Sequence, residues 1–107
     1  SPHELAEHST LLVNTTRTPA DMVKLLTVNL GDYCSIRVLN AYRIAKETTG
    51  TAFPNLPMLG ALAHITGIIN LSTLTAYIKE TMTEKIGEQN IGHYLSALER
   101  GYNEISG

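Results

Sequence analysis

The chain has 107 residues, 43% of them hydrophobic, which is enough for one small domain with a modest core. A formal charge of -2 built from mixed signs gives no footprint for nucleic acid or an anionic membrane surface. No apolar run approaches the ~20 residues of a membrane span, the opening Ser1, Pro2, His3, Glu4 is unlike a signal peptide, and the single cysteine, Cys34, forbids an internal disulfide, so a cytoplasmic location is expected.

In chain order, Pro2 to His8 is short and polar, as the tail of a helix would be. Thr10 to Asn14 carries Leu11, Leu12 and Val13 and reads as a buried parallel strand. Thr18, Pro19 and Asp21 then open a helix as cap, first residue and third residue, with Met22, Val23, Leu25 and Leu26 as its apolar side to about Leu26. A turn at Leu30 to Asp32 leads to a second strand, Cys34 to Leu39, less apolar than the first and so expected nearer a sheet edge. Strand, helix, strand implies parallel pairing. Asn40 to Lys46 opens another helix, which Gly50 ends.

Asn55 to Ile69 is the stretch on which local signals agree best. Asn55 is a cap candidate, Pro57 lies in the first turn and Gly67 supplies a stop. Between them Leu56, Met58, Leu59, Ala61, Leu62, Ala63 and Ile65 leave no polar face, which predicts a buried helix. Gly60 in its middle, at a cost of roughly 1 kcal/mol relative to Ala, implies close approach by another element. A helix capped by Ser72 is expected over Thr73 to about Met82, with Leu74, Tyr77, Ile78 and Met82 on one side. The last helix starts near Glu84 and is the most amphipathic: Ile91, Tyr94, Leu95, Leu98, Tyr102 and Ile105 face one way, while Gly87 and Gly92 weaken its first turns.

Residues that could carry chemistry are sparse. His3, His8, His64 and His93 lack the spacing of a helical metal site, so no metal site is assigned, and His64 is expected to be a core histidine bonded to a backbone carbonyl. Cys34 has no neighbours that would activate a thiol and is expected to be structural. Glu99, Arg100, Lys79 and Glu80 read as solvated helix charges. No nucleophile motif, phosphate-binding glycine loop or carboxylate pair is present, so no catalytic residue is assigned. On an open parallel sheet a site belongs beyond the carboxyl ends of the strands, which places Asn14, Thr15, Thr16, Arg17 and Asn40 on one rim. They are candidates for binding a cofactor, or else caps and turns alone.

The motif Asn55, Met58, Leu59, Gly60, Ala61, Leu62, with Thr66 and Gly67 behind it and Leu71 and Leu74 further on, resembles the C-terminal half of the gamma subunit or gamma domain of the 2-oxoacid (pyruvate):ferredoxin oxidoreductase family. The closing run Asn90 to Tyr102 is similar to that family's last helix, and the resemblance spans about Ser9 to Tyr102. It implies an α/β fold: a small parallel sheet with a helix-rich C-terminal half, part of a three-layer Rossmann-like gamma domain. Residues 1–107 then form one unit, the C-terminal portion of that domain, because the family's opening strand and Gly-rich turn have no counterpart here.

The function implied is structural: an interface part of an enzyme that oxidatively decarboxylates pyruvate or a related 2-oxoacid to acyl-CoA and reduces ferredoxin. Thiamine diphosphate, Mg, iron–sulfur clusters and coenzyme A are implied for the whole enzyme and none for this chain, which alone is expected to be inactive. The implied partners are alpha, beta and delta subunits or domains, and ferredoxin through the holoenzyme. The alternatives from the residues themselves are a stand-alone protein-interaction or regulatory module, or a nucleotide-binding α/β protein, against which the missing Gly-rich turn counts. Two strands with open edges also predict self-association of the isolated chain, through Leu11 to Val13, Ile36 to Leu39, or the face of Tyr94, Leu98 and Tyr102.

Overall fold

The computed structural model describes residues 9–26 and 34–106; the expected helix tail at Pro2 to His8 and the turn at Leu30 to Asp32 lie outside them. Among the described residues two parallel strands, β1 (Ser9–Asn14) and β2 (Cys34–Leu39), combine with five helices: α1 (Pro19–Leu25), α2 (Ala41–Thr48), α3 (Asn55–Thr66), α4 (Leu71–Ile86) and α5 (Glu88–Glu104). The result is the expected helix-rich α/β unit.

The strands pair with Leu11 opposite Ile36, Leu12 opposite Arg37 and Val13 opposite Val38, so alternate residues point to opposite faces. On one face Ile36 and Val38 pack with Met22 and Leu26 from α1 and its end. On the other, Leu12 and Leu39 join Ala41, Ile44, Ala61 and Ala97 of the helices. Each fully buried Val, Leu, Ile or Met among them contributes roughly 1.5–3 kcal/mol, which is what holds the short sheet between its two helical layers.

The expected ranking of the strands is reversed. Val38 donates its N–H to the Ser106 carbonyl at 2.7 Å and accepts from the Ser106 N–H at 3.0 Å, so β2 is paired on both sides. Ile36, Val38 and Leu39 are buried, whereas Leu11 on β1 is 40% exposed. Apolar content measures what a strand can bury, not what folds beside it, and the segment that closes β2 comes from the far end of the chain. Met22 is the only buried residue of α1, and Val23 and Leu25 project into solvent, because a helix this short touches the sheet along one line.

Thr18 caps α1 by accepting from the Asp21 N–H at 3.1 Å, and Asn40 caps α2 by accepting from the Arg43 N–H at 3.1 Å. The start of α3 differs from expectation. Pro54 takes the cap position with no side-chain bond and its carbonyl accepts from the Met58 N–H, which makes Asn55 the first helical residue instead of the cap. Gly67 stops the helix in the left-handed region at φ 63°. Nor is α3 buried all round: Pro57, Gly60, Ala61 and Ala63 are enclosed, Met58, Leu59 and Ile65 are half-buried, and Leu62 is exposed. The helix also meets α2 and α4, but one element covers it far more than the others.

That element is α5. A Cβ on Gly60 would stand 2.0 Å from the Leu98 carbonyl oxygen and 2.8 Å from the Tyr102 nitrogen, and one on Gly101 would stand 1.9 Å from the Pro57 carbonyl oxygen. The two glycines therefore let the helix backbones touch, with Leu98 and Pro57 fully buried at the crossing. Met58 and Leu59 flank this crossing in separate clusters, Met58 toward the sheet and Leu59 toward α4.

The cap of α4 is Asn70, not Ser72: Asn70 Oδ1 accepts from the Thr73 N–H at 2.8 Å, and Ser72 donates its hydroxyl to the same oxygen at 2.9 Å. The helix runs on to Ile86, where Gly87 at φ 98° separates it from α5, so α5 begins at Glu88, beyond the expected Glu84. Leu74 and Ile78 are buried with Leu98, while Tyr77 is 60% exposed one turn away.

Candidate functional site

A cleft of about 260 Å³ lies beyond the carboxyl ends of β1 and β2. Thr15, Thr16, Arg17 and Thr18 of the β1–α1 turn form one wall and Leu39, Asn40 and Arg43 a second. Glu104 and Ser106, returning after α5, close it. The parallel pairing puts both strand ends at the same level, and a Thr15 N–H to Leu39 carbonyl bond of 2.9 Å ties the two exits together.

Of the sequence candidates, Thr15, Thr16, Arg17 and Asn40 line this cleft and Asn14 does not. Asn14 instead accepts from the Ala41 N–H at 3.0 Å, joining the end of β1 to the start of α2. Thr15 Oγ1 accepts from the Arg17 N–H at 3.1 Å, fixing the turn. Thr18 and Asn40 spend their oxygens on helix caps, as above. Thr16 and Arg17 are exposed, and among the described residues no bond ties their side chains down.

Arg43, Glu104 and Ser106 are among the lining residues that sequence reasoning did not supply as site candidates, with Thr18, Pro19, Val38 and Leu39. Arg43 had a signal, since it sits three residues beyond the Asn40 cap and so faces the strand ends. Glu104 and Ser106 had none, because only the docking of α5 brings them there.

The charges at the wall are organised by Arg100, which is half-buried and no free helix charge. Its guanidinium binds Glu47 of α2 at 2.9 Å, reaches Glu104 Oε1 at 3.1 Å and donates from Nε to Glu104 Oε2. Those bonds hold the Glu104 carboxyl below its ordinary range against the opposing effect of burial, with Arg43 adding a smaller attraction, and they raise the Arg100 guanidinium in turn. Arg17 and Arg43 form no ion pair among the described residues.

A second cleft of about 380 Å³ lies between the α2–α3 loop and the α4–α5 junction. It has an apolar floor of Leu56, Pro57, Met82 and Ala97, with Phe53 and Lys85 at its mouth. His64 lies on the outside of α3, not in the core, with its ring edge-to-face on Tyr102 at 4.9 Å. The backbone of Cys34 pairs with Ser9 at the start of β2. Among the described residues no group of three His, Cys, Asp or Glu side chains could hold a metal ion, and no helix is long and apolar enough to cross a membrane.

Comparison with known proteins gives a consistent result. Residues 2–104 match the family described as pyruvate ferredoxin/flavodoxin oxidoreductase. The chain is similar to the pyruvate synthase subunit PorC of Thermotoga maritima, 36% identical over 101 residues, covering 94% of this chain and 50% of that protein. It is similar also to the common subunit gamma of the pyruvate/ketoisovalerate oxidoreductases of Thermococcus kodakarensis, 29% identical over 100 residues with 94% and 50% covered. The crystal structure of the pyruvate oxidoreductase subunit PORC from Thermotoga maritima superposes with a TM-score of 0.79 at 33% identity, over 95% of this chain and 53% of that one. The chain thus spans about half the length of these relatives.

Proposed function

We propose, since this chain belongs to the pyruvate ferredoxin/flavodoxin oxidoreductase family, that it is a structural and interface part of the gamma subunit, or fused gamma domain, of a 2-oxoacid:ferredoxin oxidoreductase. The enzyme's reaction on this reading is oxidative decarboxylation of pyruvate or a related 2-oxoacid, with the acyl group passed to coenzyme A and the electrons to ferredoxin. The observation that carries it is the agreement of sequence and fold over nearly the whole chain. Alpha, beta and delta subunits are the partners, the setting is cytoplasmic, and the unit is the C-terminal portion of a three-layer Rossmann-like domain.

The chain's own donors do not fit the enzyme's metal cofactors. An iron–sulfur cluster needs several thiolates and the chain has one cysteine. Magnesium with thiamine diphosphate needs clustered oxygen ligands, which the described residues do not assemble. On this reading the other subunits hold these groups, and this chain contributes shape, set by the α3–α5 crossing.

Co-expression tests the reading. The other subunits produced without this polypeptide are expected to lose assembly and pyruvate-dependent ferredoxin reduction; full activity in its absence would overturn it. The polypeptide alone is expected to be colourless, with no calorimetric response to thiamine diphosphate and magnesium.

A further inference from the structure

The cleft between the α2–α3 loop and the α4–α5 junction shares no lining residue with the cleft at the strand ends. Its floor is preformed: Pro57 is enclosed at the α3–α5 crossing and Ala97 is fully buried in the cluster with Ala61. The space above, about 380 Å³, falls within the ordinary range of ligand pockets, which are mostly apolar with a few polar groups. Folding has already used two of those polar groups. The hydroxyls of Thr49 and Thr51 are bonded to each other at 2.9 Å, and Thr49 Oγ1 donates to the Ala45 carbonyl at 2.9 Å. The side chains of Asn55, Tyr94 and Lys85, by contrast, make no hydrogen bond or ion pair among the described residues. The described lining includes no carboxylate, which leaves Lys85 as its one charge.

We propose that this cleft binds a small carboxylate with an apolar aliphatic or aromatic body. The body lies on Leu56, Pro57, Met82 and Ala97, where it leaves water without breaking a bond between protein groups. Phe53, 74% exposed at the mouth, has apolar surface to cover it. The carboxylate pairs with the Lys85 ammonium, and the Tyr94 hydroxyl and Asn55 amide serve as neutral donors. One ammonium balances one negative charge, so a carboxylate matches the site better than a phosphate dianion, and a cationic ligand finds no counter-charge among the lining residues.

Phenylbutyrate, phenylbutanol and phenylbutylamine share one apolar body and differ in the charge at its end. Each is titrated into the full polypeptide at low, constant ionic strength and followed by amide chemical shifts. Saturable shifts are expected at Phe53, Leu56 and Lys85. The carboxylate is expected to bind at least about threefold more tightly than the alcohol, and the amine more weakly than either. Lys85→Gln should abolish that order, whereas Lys79→Gln, the same change of charge earlier on the same helix, should keep it. Both lysines are exposed, so neither variant disturbs the core, and the comparison of the three ligands needs no variant at all. Absence of saturation, equal affinity for the three ligands, or an order of affinities unchanged in Lys85→Gln would each overturn the proposal. So would binding to the isolated chain that disappears in the assembled subunits, because another subunit would then occupy the cleft.

Discussion

Gly60 and Gly101 act as two halves of one contact, since each faces the backbone of the other's helix. Gly60→Ala is expected to cost about 1–3 kcal/mol, because one added carbon must push α5 away along its length, and Gly60→Leu more. A melting curve reads this directly, at about 4–8 °C per kcal/mol for a domain of this size. An unchanged melting temperature would mean that α3 and α5 do not touch there. Gly92, in α5 with open space around it, gives the opposite expectation: Gly92→Ala should stabilise by about 0.5–1 kcal/mol through helix propensity. Glu104 supplies a pH dependence. Its carboxyl is depressed in the folded state, chiefly by the hydrogen bonds from Arg100, so its stabilisation is complete above the ordinary carboxylate range and is lost as pH falls below about 4. The carboxyl is 45% exposed, so the effect is about 0.5 kcal/mol. The acid limb of the stability curve should be shallower in Arg100→Gln.

At the scale of elements, the caps discriminate between two readings of one helix start. Asn70→Ala should destabilise α4 by about 1 kcal/mol, while Ser72→Ala, which removes only a donor to Asn70, should be nearly neutral by chemical denaturation. Both residues are good cap formers two positions apart, and local sequence cannot choose between them. The same limit explains what was legible elsewhere. Thr18 with Pro19, Asn40 ahead of α2 and Gly67 after α3 act on their own neighbours, so their roles can be read from short windows. The burial of β2 and the exposure of Leu11 on β1 could not be read, because β2 is covered by helices and bridged by Ser106 from distant parts of the chain. The cleft was legible to the same degree: Thr15, Thr16, Arg17 and Asn40 follow from strand ends, whereas Arg43, Glu104 and Ser106 require the packing of α2 and α5.

For the whole molecule, the outer edge of β1 is the open side of the sheet among the described residues, since Ser106 takes the far edge of β2. The Nε of Arg37, opposite Leu12, is buried with no hydrogen-bond partner among the described residues, and leaving such a donor unsatisfied costs about 1–3 kcal/mol. Of the three self-association surfaces expected from sequence, Ile36 to Leu39 is already paired and Leu98 is fully enclosed, which leaves Leu11 to Val13. The isolated chain is therefore expected to be at least a dimer at micromolar concentration by light scattering, and Leu11→Lys should shift it toward monomer. A sharply melting monomer that binds no hydrophobic dye would rule this out. The pairing of Val38 with Ser106 also sets a timetable for biosynthesis. A ribosome adding about 5–20 residues per second must make most of the chain after β2 emerges before the residue that shields it exists. For those seconds the nascent strand shows an unpaired backbone edge beside its apolar side chains, so stalled or truncated products ending before Ser106 should be the species that chaperones hold.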